Sequence, residues 1–169
     1  MPKILVSACL YGECTKYDGT NNILKHPLFL KWKNKGELIS VCPEVLGGLT
    51  TPRPCSELCG DRVINSEGED VTEQFAKGAD EALKAAKENN VIFAILKQGS
   101  PSCGCKMIYD GTFSGNKISG MGVTARLLTD NGIVVFDEDD MALAHLLYSH
   151  SGKKHEHHEH KNTGKETEK

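Results

Sequence analysis

Three cysteines follow three short aliphatic segments of the chain. Cys9 and Cys42 each stand directly at the end of such a segment, and Cys103 lies in the loop after a third. If the segments are parallel strands, their carboxyl ends meet at one edge of a sheet, where ligands bind in open α/β folds. A free cysteine is usually a small buried hydrophobic residue, but three at one edge favour a shared site. Their thiolates would bind a soft metal centre.

Two residues near these cysteines have side chains suited to catalysis. Glu44 lies two positions after Cys42, and a carboxylate beside a metal centre is a candidate general acid or base. Ser100 belongs to the loop from Gly99 to Cys105. Glycines in such a loop allow close approach of the backbone, and its hydroxyls and amides can hydrogen-bond to sulfur or to a carbonyl. Without the neighbouring cysteines, Glu44 would be interpreted as an ordinary solvated charge.

The chain contains 7 cysteines among 169 residues. In a reducing cytosol such cysteines are more often ligands or reactive thiols than disulfides, and an odd number agrees with that interpretation. An alternative is a structural zinc-binding or thiol-sensing protein without catalysis. Its closed tetrahedral zinc site would be formed by Cys9, Cys14, Cys55 and Cys59. This alternative leaves Cys42 and Cys103 without a function, so we rank it second.

The elements that would position these residues alternate between strands and helices. Apolar runs bounded by Gly, Pro and Ser predict buried strands at residues 3–8, 37–41, 91–96 and 132–136. Apolar residues at helical spacing predict helices at residues 24–35, 71–88 and 123–129, and another after Asp139. This order predicts an α/β fold, namely a Rossmann-like three-layer sandwich with a mostly parallel sheet.

The composition changes near the C-terminus. We predict one α/β domain at residues 1–150 and a disordered tail at residues 151–169, because the tail is rich in His, Lys and Glu and contains no apolar residue. Its histidines could bind a divalent metal loosely, but nothing in the tail would hold a coordination geometry.

Charge and hydropathy restrict the partners. The formal net charge is -3, with acidic and basic residues mixed along the chain, so long nucleic acid is not an expected ligand. No apolar run approaches the roughly 20 residues that cross a bilayer, and the N-terminus lacks a secretory pattern, so we expect a cytosolic protein. A nucleotide-binding module without catalysis is a third interpretation. The absence of G-x-G-x-x-G after the first strand argues against a dinucleotide. The sequence leaves open whether the chain forms a homodimer.

A series of ordered segments makes the chain resemble the thiouracil desulfidase family, formerly the domain-of-unknown-function family 523. The resemblance extends over about residues 3–138, and so many segments in one order are a specific signal. Cys14, Cys55, Cys59 and Cys105 depart from the residues that the family pattern leads us to expect. The matching segments are Val6-Ser7-Ala8-Cys9-Leu10, Tyr17-Asp18-Gly19, Val41-Cys42-Pro43-Glu44-Val45-Leu46-Gly47-Gly48-Leu49, Thr51-Pro52-Arg53-Pro54, Asp70-Val71-Thr72, Leu96-Lys97, Gly99-Ser100-Pro101-Ser102-Cys103-Gly104, Ile108-Tyr109-Asp110-Gly111-Thr112-Phe113-Ser114-Gly115 and Gly120-Met121-Gly122-Val123-Thr124-Ala125.

The resemblance implies an enzyme that removes sulfur from a small thiolated pyrimidine, converting 2-thiouracil and water into uracil and sulfide without net electron transfer. It implies a 4Fe-4S cluster held by Cys9, Cys42 and Cys103, whose fourth iron is open and can accept the substrate sulfur as a Lewis acid. Glu44 matches the family's catalytic glutamate, which activates the water. Ser100 matches its catalytic serine, which orients or protonates the reacting group. The choice among 2-thiouracil, 4-thiouracil and another thioamide stays open.

Overall fold

A parallel sheet of four strands forms the centre of the structure. The computed structural model describes the backbone of residues 1–160 and the side chains of residues 1–151. The elements are β1 (Ile4–Ser7), α1 (Ala8–Tyr11), α2 (Pro27–Asn34), β2 (Leu38–Val41), α3 (Pro43–Leu46), β3 (Ser56–Cys59), β4 (Arg62–Asn65), α4 (Thr72–Glu88), β5 (Phe93–Leu96), β6 (Met107–Tyr109), β7 (Lys117–Ser119), α5 (Val123–Asp130), β8 (Val135–Asp137) and α6 (Met141–His160). The central sheet has the order β2-β1-β5-β8, and each neighbouring pair is parallel.

Helices cover both faces of this sheet, and the strand side chains alternate between the two faces. Ile4 and Val6 of β1 belong to a buried cluster with Phe29 and Trp32 of α2 and Met141 of α6. Leu5, between them, belongs to a second cluster on the opposite face, which includes residues of α4 and α5: Ala82, Ala86, Ala125 and Leu128. Alternation of this kind is the two-residue period of a strand. The structure is therefore the predicted three-layer α/β sandwich.

Two antiparallel hairpins lie outside the central sheet. β3 pairs with β4, and β6 pairs with β7. The sequence pattern predicted neither hairpin, because their strands are only three or four residues long and β7 is exposed along its whole length. A strand without a buried face carries no hydrophobic alternation. The helices α1 and α3 were not predicted either, because each has only four residues and is too short to show a helical period.

One predicted strand is displaced from its position. Residues 132–136 were predicted as a strand, whereas β8 begins at Val135. Gly132 has a φ of 80° and its N–H donates to the carbonyl of Thr129 at 3.0 Å, so it closes the end of α5. Glycine adopts this left-handed conformation without steric cost.

The last helix passes the predicted domain boundary. α6 extends from Met141 to His160, so the first ten positions of the predicted tail fall within this helix. The rest of the predicted tail, residues 161–169, lies outside the described residues. The division into residues 1–150 and 151–169 stays a prediction. Among the described residues, no helix has both the length and the apolar character that crossing a membrane requires.

Candidate active site

The three predicted cysteines line one cavity of about 500 Å³ at the carboxyl edge of the central sheet. Cys9 lies in α1, directly after β1; Cys42 is the residue before α3, directly after β2; and Cys103 lies in the loop after β5. The cavity is also lined by Glu44 and Ser100. The fold therefore brings all five sequence-predicted site residues to one place.

Cys9 is held by the tight turn of α1. This helix ends at Gly12, whose φ of 111° reverses the chain, and the Gly12 N–H donates to the carbonyl of Cys9 at 3.3 Å. The Asn22 N–H donates to the same carbonyl at 3.0 Å. These two bonds tie the segment that follows α1 back onto the cysteine.

Cys42 and Glu44 are placed by a close approach of α3 to α4. A Cβ atom on Gly78 of α4 would lie 1.8 Å from the carbonyl oxygen of Pro43, and one on Gly47 would lie 1.8 Å from the carbonyl oxygen of Gln74. Both obstacles are backbone atoms, so only glycine permits this spacing. The two glycines therefore allow α3 to pack directly against α4, next to the cavity.

Cys103 is held by a loop that is hydrogen-bonded to itself and to α5. The Ser100 Oγ accepts the N–H of Ser102 at 3.1 Å and the N–H of Cys103 at 3.0 Å. The carbonyl of Ser102 accepts the N–H of Thr124 at 2.9 Å, and the buried Ser102 and Thr124 hydroxyls lie 2.7 Å apart. The first turn of α5 thus uses loop carbonyls as acceptors for its otherwise unpaired N–H groups.

The Cys9 and Cys103 thiols are poor anions in the absence of a metal. Burial raises the pKa of the Cys9 thiol, and the neighbouring Cys42 raises it further. Burial also raises the pKa of Cys103 well above its ordinary value. The negative charges of Cys9, Glu44 and Cys42 raise this pKa further. Cys9 and Cys103 are therefore both affected by neighbouring negative charge. Positively charged metal would favour the thiolate form at all three positions.

Glu44 forms an ion pair within the cavity wall. Its Oε1 lies 3.4 Å from the Nε of Arg53, and the exposed fractions of the two side chains are 18% and 4%. Burial raises the pKa of Glu44, while the Arg53 guanidinium acts in the opposite direction. Arg53 also donates to the carbonyl of Thr15 at 2.8 Å and to the carbonyl of Thr50 at 3.2 Å. Arg53 belongs to the family-like segment Thr51-Pro52-Arg53-Pro54, but the sequence alone did not indicate a role for it.

A second ion pair lies beside Cys9. Lys97, which lines the cavity, has its Nζ 3.3 Å from Glu138 Oε1, and the Gln98 N–H donates to the same oxygen at 3.0 Å. Burial raises the pKa of Glu138, and the Gln98 N–H and Lys97 act in the opposite direction. The positive charges of Arg53 and Lys97 are thus each balanced by a carboxylate.

The four-thiolate zinc site is not assembled. Within residues 1–151, the one group of three metal-binding side chains with ligand atoms mutually within 4.8 Å is Cys105, Asp137 and Asp140. The Lys106 Nζ lies 2.6 Å from Asp140 and 3.3 Å from Asp137, so an ammonium already balances these carboxylates. Cys14 is exposed, and Cys59 Sγ lies 3.5 Å from the Gly111 carbonyl. Among the described residues, the alternative set Cys9, Cys14, Cys55 and Cys59 therefore does not form a close group of ligands for a single ion.

Comparison with known proteins decides the family. A family model described as 2-thiouracil desulfurase matches residues 4–140. The chain belongs to the 2-thiouracil desulfurase family. The match extends over most of the chain and includes all five candidate site residues. It identifies the chain as an enzyme of the desulfidase class and confirms the resemblance seen in the sequence segments.

Two individual proteins support this assignment. The chain is 42% identical to a solved structure of the [4Fe-4S]-dependent thiouracil desulfidase TudS, with a TM-score of 0.86. That match covers 88% of this chain and 99% of the other. A protein of Bacillus subtilis (strain 168), the uncharacterized protein YbbK, is 41% identical over 148 residues, which cover 82% of this chain and 97% of the relative. The similarity to TudS also confirms the predicted fold class.

Proposed function

We propose that this enzyme hydrolyses the carbon–sulfur bond of a thiolated pyrimidine, 2-thiouracil being the first candidate, at a 4Fe-4S cluster held by Cys9, Cys42 and Cys103. The observation that carries the proposal is the convergence of these three thiols with Glu44 and Ser100 on one cavity. Membership of the 2-thiouracil desulfurase family and the similarity to a [4Fe-4S]-dependent desulfidase support it.

The donor set suits a cluster better than a single ion. The three thiols share a cavity, yet they do not form a group with mutual distances under 4.8 Å among the residues described. A single zinc ion needs its ligands close together, whereas in a cluster each thiolate binds a different iron. Three cysteine ligands leave one iron of a 4Fe-4S cluster without a protein ligand. When bound, such a cluster supplies a Lewis acid that can accept a thiocarbonyl sulfur.

The chain's own residues would handle the water and the protons. Glu44 accepts a proton from the attacking water, and Arg53, whose Nε lies 3.4 Å from the Glu44 Oε1, holds the carboxylate in place. The Ser100 Oγ already accepts two backbone N–H groups, so the hydroxyl proton is the part of this group left to donate to the substrate. Water supplies the new oxygen and sulfur leaves as sulfide, so no electron is consumed.

The central test is turnover without a reductant. Anaerobically prepared holoprotein should convert 2-thiouracil into uracil repeatedly with neither reductant nor nucleotide present, because hydrolysis consumes only water. Glu44→Gln keeps the shape but removes the proton acceptor, and should lower the rate by about a hundredfold or more. Its iron content should equal that of the parent. Uracil formed per iron is measured by chromatography in a sealed anaerobic cell.

Glu69→Gln is the matched control, because Glu69 is exposed and lies away from the cavity. It should have the parental rate. Uracil formation that requires dithionite would contradict the hydrolytic mechanism. A Glu44→Gln protein with full iron and the parental rate would contradict the role of the carboxylate.

A further inference from the structure

Phe113 has an unusual backbone conformation at the wall of the cavity. It lies in the loop between β6 and β7, lines the cavity and has a φ of 55°. A bulky residue in the left-handed region is strained, because its Cβ lies too close to the following carbonyl oxygen. Such strain persists where the surroundings hold it, and it concentrates at ligand sites. The aromatic side chain is 39% exposed, so it is available to a ligand.

Glu57 holds this loop in place. It lies on β3 and is a buried carboxylate, 7% exposed, with no role in the proposed chemistry. Its Oε1 accepts the N–H of Phe113 at 3.2 Å and the N–H of Gly111 at 3.0 Å. A charged acceptor makes stronger bonds to backbone N–H groups than a neutral one. One buried oxygen therefore fixes two points of the loop, one of them the strained residue.

The loop is also in close contact with β3. A Cβ on Gly111 would lie 2.7 Å from the carbonyl oxygen of Leu58 and 3.2 Å from the Sγ of Cys59. The loop thus has little room to move toward β3. The anchored segment places Phe113 on the cavity that also contains Glu44 and the three thiols.

We propose that Phe113 contacts the substrate by stacking on its pyrimidine ring, and that Glu57 is a positioning residue that holds Phe113 for this contact. The inference rests on the proposed function, because it takes a planar pyrimidine as the ligand. Stacking of an aromatic side chain on a base is favourable and insensitive to the base's hydrogen-bonding edge. Phe113 therefore contributes binding, while Glu44 and Ser100 contribute chemistry.

Phe113→Gly separates substrate contact from folding. It removes the ring and also the backbone strain, since glycine adopts φ 55° without cost. In the holoprotein it should raise the KM for 2-thiouracil and the Kd for uracil about tenfold. The kcat should change less than about twofold, as expected for loss of uniform binding. Iron per chain should be parental, and the unfolding temperature should be parental or higher.

Variants at Glu57 test the positioning role. Glu57→Ala should raise KM in the same direction, whereas Glu57→Gln keeps an oxygen that accepts both N–H groups and should have nearly the parental KM. In the Phe113→Gly background, Glu57→Ala should add no further change in KM, because the ring it positions is gone. If Glu57→Ala does not fold, Glu57→Asp is used in its place. The shorter side chain withdraws the oxygen from the loop while keeping the charge.

Kinetics, calorimetry with uracil, iron analysis and thermal unfolding together give the outcome. An active parent whose Phe113→Gly variant keeps the parental KM and uracil Kd would overturn the substrate contact. Equal effects of Glu57→Ala with and without Phe113 would overturn the positioning role. A parent that forms no uracil would overturn the proposed function and this inference with it.

Discussion

The position of Glu44 in the site depends on its ion pair with Arg53. Arg53 is almost fully buried and bonds to Glu44 as well as to the backbone carbonyls of Thr15 and Thr50. Its guanidinium cannot leave Glu44 without losing these carbonyls. The Sγ of Cys42 also lies 3.9 Å from the Thr15 carbonyl. Arg53, the partner of Glu44, and the Cys42 thiol therefore both contact the carbonyl of Thr15.

Iron content tests the three proposed cysteine ligands of the cluster. The anaerobic holoprotein should contain about four irons per chain. Alanine at Cys9, Cys42 or Cys103 should abolish or strongly reduce the iron, because each removes one thiolate of three. Alanine at Cys14, Cys55, Cys59 or Cys105 should leave it unchanged, and these four variants are the matched controls. Iron and acid-labile sulfide are measured per chain. Iron lost from Cys55→Ala but kept in Cys42→Ala would contradict the assignment.

Among the elements, the contact of α3 with α4 controls the position of Cys42 and Glu44. α3 has only four residues and begins directly after Cys42. A helix this short is not stable by itself, so its position depends on what it packs against. The obstacles that a Cβ on Gly78 would meet are backbone atoms of Pro43, the first residue of α3.

Gly78→Ala should therefore displace α3 and the site with it. Overpacking of this kind costs about 1–3 kcal/mol, which corresponds to an unfolding temperature lower by several degrees. Iron content should fall as well, because Cys42 moves with α3. Thermal unfolding and iron analysis check both effects. Lys84→Ala on the exposed side of α4 is the control and should change neither. A Gly78→Ala protein with parental iron would show that α3 does not need this contact.

For the whole molecule, α6 is joined to α2 and the sheet by contacts that precede residue 150. Met141 and Ala144 are buried in the core. The Tyr148 ring packs on Trp32 with centroids 4.9 Å apart, and its hydroxyl donates to the buried Glu37 at 2.8 Å. Burial and the Glu37 carboxylate raise the pKa of Tyr148 to about 12, so the hydroxyl remains a donor at neutral pH.

Truncation after His150 should leave folding, iron content and turnover unchanged, because these contacts all remain. We propose that the folded unit ends within α6 before the His-rich segment. Tyr148→Phe is the contrasting variant. It removes the donor to Glu37 and should cost about 1–3 kcal/mol, the usual penalty for a buried group left unpaired. Thermal unfolding measures both changes. A truncated chain that binds no iron would show that the removed histidines take part in loading.

Much of the fold and the location of the site were predictable from local pattern. Buried strands of a parallel sheet are continuous apolar runs, so residues 3–8, 37–41 and 91–96 identified β1, β2 and β5. Cys9, Cys42 and Cys103 follow these runs, and ligands bind at the carboxyl edge of such a sheet. The shared cavity of these cysteines therefore followed from strand positions alone. Glu44 and Ser100 were candidates because they lie near these cysteines, and the roles proposed for them are those that the family resemblance implies.

Only the tertiary structure revealed how the site is supported. Arg53 reaches Glu44 from a loop, and Glu57 reaches Phe113 from β3. Neither pair has a periodicity or a spacing that identifies it, because each contact joins segments that the fold alone brings together. The fit of Gly78 against Pro43 is also invisible in sequence, where a glycine in a helix indicates only a lower propensity. The contacts of Arg53, Glu57 and Gly78 matter because these residues are buried, and burial is a property of the packed chain.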